Sequence, residues 1–195
     1  MTTDSKRRDA ELRAIIKPIP GHVYAADIRV NRLTAILQEQ AADYGSVERN
    51  PDFQRGHVWT PEQQTAYVEA YLRGALGEEL RTITWNCPQF AGPAVEDRAP
   101  SDLPQGFQCL DGLQRLTALE AWIKGDVQPF GLTLDDLQGT AFDPHRMSYM
   151  IRFSVFAFQT RAEVLDYYLA INSGGTVHSQ EELDRVRKLR ESVTA

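Results

Sequence analysis

One segment, residues 107–124, constrains the fold most, because a short apolar run there passes directly into an amphipathic helical pattern. The run FQCL (107–110) predicts a strand, and Asp111-Gly112 predicts a tight turn after it. Apolar residues then recur at helical spacing until Gly125, at Leu113, Leu116, Leu119 and Ile123. Asp111 and Gln114 have the spacing of a capping box for this helix. The segment therefore requires a strand and a helix joined by almost no linker.

Helical and strand patterns alternate along the rest of the chain. The clearest helix start is Thr60-Pro61 with Gln63, which combines a capping box with proline at the first helical position. The period-two alternation over 147–157 predicts a strand. Further predictions are helices starting at Asp27, at Thr160 with Glu163 and at Ser179 with Glu182, a helical turn over 133–137, and a strand over 80–85. Helices interspersed with few strands indicate an α+β fold, a small sheet covered by helices.

The length predicts one domain. At 195 residues the chain fits a single unit of roughly 100–200 residues. We expect residues 1–26 to form an N-terminal extension and residues 27–195 the domain. The Pro/Gly-rich stretch 87–106 is predicted to be a long loop. Loops of this length are usually functional or mobile, and a tolerated surface insertion is the simpler alternative.

Composition excludes several classes of protein. Lys plus Arg number 21 and Asp plus Glu 27, so the net charge of −6 argues against a general polyanion binder but permits a local basic pocket. The two cysteines cannot build a disulfide framework or a four-ligand zinc site, and the four scattered histidines predict no metal site. Without an apolar run of spanning length or a signal peptide, we expect a cytoplasmic protein with no membrane partner.

The turn at Asp111-Gly112 is the strongest candidate for chemistry. Free backbone N–H groups and a partial positive charge at a helix N-terminus favour a phosphate or a carboxylate. Arg115 lies in the first turn of the predicted helix, where a cation opposes the helix dipole unless an anion accompanies it. A charged hydrogen bond to that anion is worth roughly 1.5–3 kcal/mol. The anion could be a bound ligand or an internal carboxylate, Asp111 itself or Asp52.

Two other segments carry polar residues that the predicted helices and strands do not need for folding. Arg55 lies among aromatic residues in FQRGHVW (53–59), and Asn172 lies in INSGGT (171–176) after a predicted helix. Each has a structural alternative: an ion pair for Arg55, and for Asn172 a helix C-cap with Gly174 in the left-handed region.

Together these segments resemble the DGQQR-motif branch of the ParB/sulfiredoxin superfamily. The resemblance is carried by FQR (53–55) followed by Trp59, by DGLQRLTAL (111–119), and by NSGGT (172–176) before a Ser-Gln-Glu-Glu-Leu run. It extends from about Asn50 to Leu189. The branch forms the N-terminal domain of GmrSD-type modification-dependent restriction enzymes and occurs in a phosphorothioate-sensing phage-defence effector.

The resemblance implies a ParB-like fold with a nucleotide pocket beside the DGQQR loop, and binding and hydrolysis of a nucleoside triphosphate with Mg²⁺. In such enzymes hydrolysis is coupled to the sensing of modified DNA. Residue by residue, it implies catalytic roles for Asp111, Gln114 and Arg115. Arg115 and Arg55 would bind phosphate oxygens, and Asp111 would orient Arg115, hold a water or ligate Mg²⁺. The nucleotide- and phosphate-binding residues implied in this way are Gln54, Arg55, Gly112, Arg115, Asn172 and Gly175.

The chain departs from the family in two respects. The first Gln of the motif is Leu113 here. Either the replacement removes a hydrogen-bond donor from the pocket, or the leucine packs into the core with the other apolar residues on that face of the helix. Family members usually carry a C-terminal HNH-type nuclease domain, and we expect any nuclease to be a separate subunit. The sulfiredoxin relatives use a cysteine in the matching loop, but Cys109 precedes Asp111 by two residues and is predicted to be a buried strand cysteine.

These observations leave three functional hypotheses. The first is a stand-alone ParB-like nucleotide-binding domain, a weak NTPase coupled to DNA recognition in a restriction, phage or mobile-element setting. The second is a DNA-binding or DNA-nicking protein, plain or modified DNA being held through Arg55, Arg115 and Arg152 with a steep salt dependence. The third is a non-catalytic interaction or regulatory protein that keeps the fold, an idea motivated by Leu113.

Overall fold

The computed structural model of the chain describes residues 3–92, 101–146, 149–173 and 180–193 and shows a mixed α+β fold. The helices are α1 Thr3–Ile16, α2 Leu33–Tyr44, α3 Pro61–Leu72, α4 Leu113–Lys124, α5 Leu134–Leu137, α6 Arg161–Ser173 and α7 Gln180–Ser192. The strands are β1 Tyr24–Arg29, β2 Val47–Glu48, β3 Thr82–Asn86, β4 Phe107–Asp111 and β5 Met150–Phe156. None of the helices within these ranges is long and apolar enough to cross a membrane.

The five strands form one sheet in the order β1-β5-β3-β4-β2. The β5–β3 and β4–β2 pairs are parallel, whereas β1–β5 and β3–β4 are antiparallel. In the β3–β4 ladder Thr84 pairs with Asp111, and the register shifts at Thr84-Trp85. The last residue of β4 is therefore held beside the centre of the sheet, at the point where α4 leaves it.

Successive residues of β4 face two different hydrophobic clusters. Phe107 and Cys109 belong to the larger cluster, which also contains the buried apolar residues of α2, α3 and α4. Leu110 belongs to a second cluster built with α6 and α7. Because side chains alternate across a strand, helices cover β4 on both faces. Burying each large apolar side chain contributes about 1.5–3 kcal/mol, so the end of β4 is fixed from two sides.

The predicted helix capping at Thr60 is confirmed. The Thr60 hydroxyl oxygen accepts a hydrogen bond from the Gln63 N–H at 3.3 Å, and Gln63 Oε1 accepts one from the Thr60 N–H at 2.9 Å. The Thr160–Glu163 pair makes the equivalent reciprocal bonds at the start of α6. The helix predicted after Ser179 appears as α7, but the predicted Ser179–Glu182 capping box lies outside the described residues and side chains.

The prediction of a helix starting at Asp27 is wrong. Residues 24–29 form β1, in which Ile28 pairs with Ile151 of β5, and the helix α2 begins only at Leu33. Ile28 packs against the larger cluster from the strand, so tertiary pairing overrides the helical spacing of the apolar residues. The boundary predicted after residue 26 therefore falls inside a strand of the sheet.

The predicted long loop over 87–106 is only partly described. A short 3₁₀ turn covers Pro88–Ala91, and residues 93–100 lie outside the described part of the chain. Beyond that gap, the Ser101 hydroxyl donates to the Gln159 carbonyl at 2.7 Å, and Leu103 is buried in the second cluster. The end of the loop is thus anchored beside α6.

Candidate functional site

A cavity of about 300 Å³ opens where β4 ends and α4 begins. Three segments that are distant in sequence supply its walls: the loop before α3, the β4–α4 turn and α6. Its lining residues are Gln54, Arg55, Gly56, Trp59, Leu110, Asp111, Gly112, Leu113, Gln114, Arg115, Tyr168 and Asn172. Every predicted site residue is among them except Gly175, which lies outside the described residues.

The turn into α4 depends on Gly112. Its φ of 97° lies in the left-handed region, and a Cβ atom there would stand 2.9 Å from Ile83 Cδ1 and 3.2 Å from Arg115 Nη2. Gly112 is the N-cap residue of α4, and as a glycine it makes no side-chain cap hydrogen bond to this end of the helix. The first N–H groups of α4 therefore face the cavity region without a side-chain cap.

The predicted capping box of Asp111 with Gln114 is wrong, because Gln114 reaches across to the loop before α3. Its Oε1 accepts hydrogen bonds from the N–H groups of Val58 at 3.0 Å and Trp59 at 3.1 Å. Its Nε2 donates to the Gly56 carbonyl at 2.7 Å. These bonds make Gln114 a clamp between α4 and the 56–59 loop, and they occupy the amide that the resemblance implied for catalysis.

Asp111 is the internal partner of Arg115. The Arg115 Nη2 atom lies 2.5 Å from Asp111 Oδ2 and 3.0 Å from the Thr82 carbonyl oxygen. Asp52, the other carboxylate considered, pairs instead with Arg161 at 2.6 Å. The Asp111 side chain is 48% exposed and that of Arg115 15%, and a partly exposed pair of this kind is worth about 1 kcal/mol or less. Its main effect is to fix the guanidinium at the cavity wall.

Gln54 and Arg55 enter the cavity from the loop before α3. The Gln54 Nε2 donates to the Cys109 carbonyl at 2.5 Å, which ties the loop to β4. Arg55, the next residue, is partly exposed in the cavity lining. The two neighbouring residues therefore differ in role: Gln54 attaches the loop to β4, and Arg55 lies at the cavity.

Asn172 lines the cavity from the end of α6. Its Nδ2 donates to the Tyr168 carbonyl one turn earlier at 2.7 Å, so part of its amide serves its own helix. The helix continues to Ser173, and Gly174, the residue predicted to end it in the left-handed region, lies outside the described residues.

Part of the cavity lining is apolar. Leu113 is 8% exposed and packs in the larger cluster while still lining the cavity, so it docks into the core as one of the two alternatives predicted. Leu110, Trp59 and Tyr168 also line the cavity, and Leu110 and Tyr168 belong to the second cluster. No motif marks Leu110 or Tyr168 in the sequence, although the alternation along β4 places Leu110 on the α6 side.

Cys109 and Tyr167 each directly precede a residue that lines the cavity, Leu110 and Tyr168. Cys109 is fully buried, as predicted, and burial raises the pKa of its thiol to about 12. Burial also raises the pKa of Tyr167 to about 12, helped by the nearby Asp111 carboxylate and opposed by a hydrogen bond with Thr84. Both groups therefore stay protonated at neutral pH, and neither supplies a nucleophile.

No cluster of three or more His, Cys, Asp or Glu side chains in the described ranges is placed to hold a metal ion. Among the described residues that line the cavity, Asp111 is the only carboxylate. No family model, curated protein or solved structure matches the chain. The fold and the cavity define an α+β domain with a half-polar, half-apolar pocket at a helix N-terminus.

Proposed function

We propose that the chain is a ParB-like nucleotide-binding domain of the DGQQR branch, and that it binds a nucleoside triphosphate with Mg²⁺ at the start of α4. It hydrolyses the nucleotide slowly and serves DNA recognition in a restriction, phage or mobile-element setting in the cytoplasm. One observation carries this proposal: Arg55 and Arg115, from two separate motifs, line a single cavity at a helix N-terminus.

The polar residues of the cavity lining suit the phosphates. Uncapped N–H groups and the dipole of α4 favour negative charge at this position. Arginine side chains add charge-assisted hydrogen bonds, which are shorter and about twice as strong as neutral ones. A phosphate group that approaches Arg115 meets a guanidinium already oriented by Asp111 and the Thr82 carbonyl.

The aromatic and apolar residues of the lining suit a planar base. Trp59 is partly exposed and lies in a tilted aromatic pair with Tyr67 at 5.4 Å between ring centroids. Stacking of a base on an aromatic side chain is worth about 1–3 kcal/mol and tolerates any base. The cavity therefore offers contacts for both ends of a nucleotide.

The residues present fit Mg²⁺ as an ion carried by the ligand. Mg²⁺ is usually held by one or two carboxylates together with substrate phosphates. Asp111 is the carboxylate in position for this role, and the ion would neutralise phosphate charge. Asp111 would then exchange part of its contact with Arg115 for the ion.

A specific observation favours a second candidate, a non-catalytic nucleotide-binding or regulatory domain. Leu113 is packed in the core at the position of the family's first Gln, and the amide of Gln114 is engaged by the 56–59 loop. Neither side chain is placed to orient an attacking water. Binding without turnover is the outcome that separates this candidate from the NTPase.

The experiment is a titration of the four ribonucleoside triphosphates with Mg²⁺, followed by melting temperature and by phosphate release. We expect a rise in melting temperature for at least one nucleotide, reduced by Arg115→Ala and unchanged by Arg32→Ala, since Arg32 pairs with Glu39 on α2. Stabilisation without phosphate release selects the second candidate. No stabilisation by any nucleotide contradicts both.

The DNA part of the proposal has its own test. Gel shifts on plain and modified duplexes at low salt, with and without nucleotide, measure whether the domain binds DNA itself. If it does not, a separate nuclease or DNA-binding subunit must supply recognition, and co-purification of that subunit in the presence of nucleotide is the expected result.

A further inference from the structure

The loop that carries Arg55 is held on both sides of that residue. After it, the Gly56 carbonyl accepts a hydrogen bond from Gln114. Before it, three successive backbone carbonyls accept hydrogen bonds from one guanidinium, that of Arg185 on α7. Arg185 Nη1 lies 2.6 Å from the Asp52 oxygen, and Nη2 lies 3.0 Å from that of Phe53 and 3.2 Å from that of Gln54. Arg55 is the single residue between the two attachments.

The loop geometry explains how one side chain reaches three carbonyls. The Gln54 N–H donates to the Pro51 carbonyl at 2.9 Å, so residues 51–54 form a turn, and the carbonyls of its last three residues face α7. A guanidinium presents five N–H donors in a rigid plane and no acceptor. A lysine ammonium is a single compact centre and cannot reproduce this fork.

α7 is fixed independently of Arg185. Val186 is fully buried and shares the second cluster with Phe53, whose ring makes an edge contact with Tyr168 at 5.3 Å between centroids. Arg190 binds Asp166 of α6 through two nitrogens, at 2.7 and 2.9 Å, and this contact does not involve the loop. One arginine of α7, Arg190, therefore binds α6, and another, Arg185, binds the loop at the cavity.

We propose that Arg185 is a positioning residue for the cavity: it fixes the 52–54 backbone, and through it Arg55, so that affinity for the ligand depends on the contacts of Arg185 with the 52–54 carbonyls. The inference rests on the proposed function for the identity of the ligand, but the positioning itself does not require it. Coupling between two sites is reciprocal, so a bound ligand would strengthen the Arg185 contacts by the same factor.

The test compares Arg185→Gln with Arg190→Gln in the full chain, because each removes one arginine anchor of α7. Binding of inorganic tripolyphosphate and of the nucleotide with the largest effect on the wild type is measured by calorimetry. We expect Arg185→Gln to weaken binding about tenfold, the equivalent of part of one charge-assisted hydrogen bond, and Arg190→Gln to change it less than twofold. Arg185→Lys should give an intermediate loss, since it keeps the charge without the fork.

Equal losses in the two Gln variants, or unchanged binding in Arg185→Gln, would overturn the proposal. Melting temperatures of the ligand-free proteins show whether either variant fails to fold. If Arg185→Gln is unfolded, Arg185→Lys is compared with Arg190→Lys instead. The proposal then requires that Arg185→Lys weaken binding more than Arg190→Lys does.

A measurement without ligand separates this proposal from the proposed function. Amide hydrogen exchange of Gln54 reports on the turn that Arg185 holds, because that N–H bonds to the Pro51 carbonyl. Faster exchange in Arg185→Gln but not in Arg190→Gln supports the positioning role even if the wild type binds no nucleotide. Equal exchange in both variants contradicts it whatever the ligand result.

Discussion

Arg115 Nη2 and Asp111 Oδ2 lie 2.5 Å apart across the Gly112 turn, at the N-terminal end of α4. The cation that would otherwise oppose the helix dipole is therefore neutralised within the chain. A bound anion at this position competes with Asp111 for the same guanidinium. The pair sets both the orientation of Arg115 and the charge that an incoming ligand meets.

Asp111→Asn should strengthen the binding of a metal-free anion. The amide oxygen of Asn can still accept from Arg115, but the negative charge is removed. One unit charge at about 4 Å is worth about 1 kcal/mol in water-like surroundings, so we expect roughly fivefold tighter binding of tripolyphosphate without Mg²⁺. Calorimetry measures it, with Asp126→Asn beyond the far end of α4 as the control. Weaker binding in Asp111→Asn would show that the anion does not contact Arg115.

Gly112→Ala should be far more costly than Gly125→Ala, although both glycines flank α4 with positive φ. A Cβ at Gly125 meets nothing within 4 Å, whereas at Gly112 it meets Ile83 and Arg115. We expect Gly112→Ala to lower the free energy of unfolding by about 2–4 kcal/mol, from backbone strain together with overpacking. Gly125→Ala should cost about 1–2 kcal/mol, from the backbone alone. Urea denaturation measures both, and equal losses would contradict the close approach at Gly112.

Gln114→Leu should loosen the loop before α3. The change removes three hydrogen bonds to Gly56, Val58 and Trp59. Because these groups are partly accessible to water, we expect a loss of about 1–2 kcal/mol in the free energy of unfolding. Gln105→Leu, an exposed position, is the matched control. A stability equal to that of the control would mean that the clamp contributes nothing.

Asp143 should contribute to acid sensitivity. Its carboxylate accepts from the Gly139 N–H at 2.8 Å and from the N–H and ring of His145, which lowers its pKa to about 2. A depressed pKa means that the stabilisation is complete above the unfolded value and is lost as pH falls from about 4 towards 2. The difference in urea midpoint between wild type and Asp143→Asn should therefore shrink over that range. Parallel curves for the two proteins would contradict this.

Both thiols should be unreactive in the folded protein. Cys87 and Cys109 are fully buried, and burial raises the pKa of each thiol. An aromatic disulfide reagent at pH 7.5 should titrate neither cysteine until denaturant is added, and then both. Rapid reaction of one native thiol would show that β3 or β4 opens to solvent.

Local sequence signals predicted the elements that depend on neighbours within a few residues. The capping residues around Thr60 and Thr160 locate two helix starts because their hydrogen bonds close within three residues. The strand β1 was missed because its pairing partner, β5, lies more than a hundred residues away. At Asp27 the spacing of apolar residues fits a helix, and only the partner strand decides otherwise.

The sequence was sufficient to predict most of the residues that line the candidate site. It was less informative about the hydrogen bonds that these residues make with one another and with the loop. Asp111, Arg115 and Arg55 could be selected from a turn, a helix start and a motif resemblance, and they line one cavity. The contact of Gln114 with the 56–59 loop has no local signal, since it joins residues 55 to 58 positions apart. Arg185 was missed for the same reason: in the sequence it is one charged residue among many on a polar helix face.

The contacts of Arg185 also set an order of events during synthesis. Arg185 bonds to carbonyls 131 to 133 residues earlier in the chain, so the turn before Arg55 leaves the ribosome long before its anchor exists. A nascent chain that has completed β4 and α4 already contains the Gly112 turn, the Gln114 clamp and the bond from Gln54 to the Cys109 carbonyl, but the 52–54 carbonyls still lack the guanidinium of Arg185. The contacts that fix the 52–54 backbone therefore form only after α7 has been synthesised.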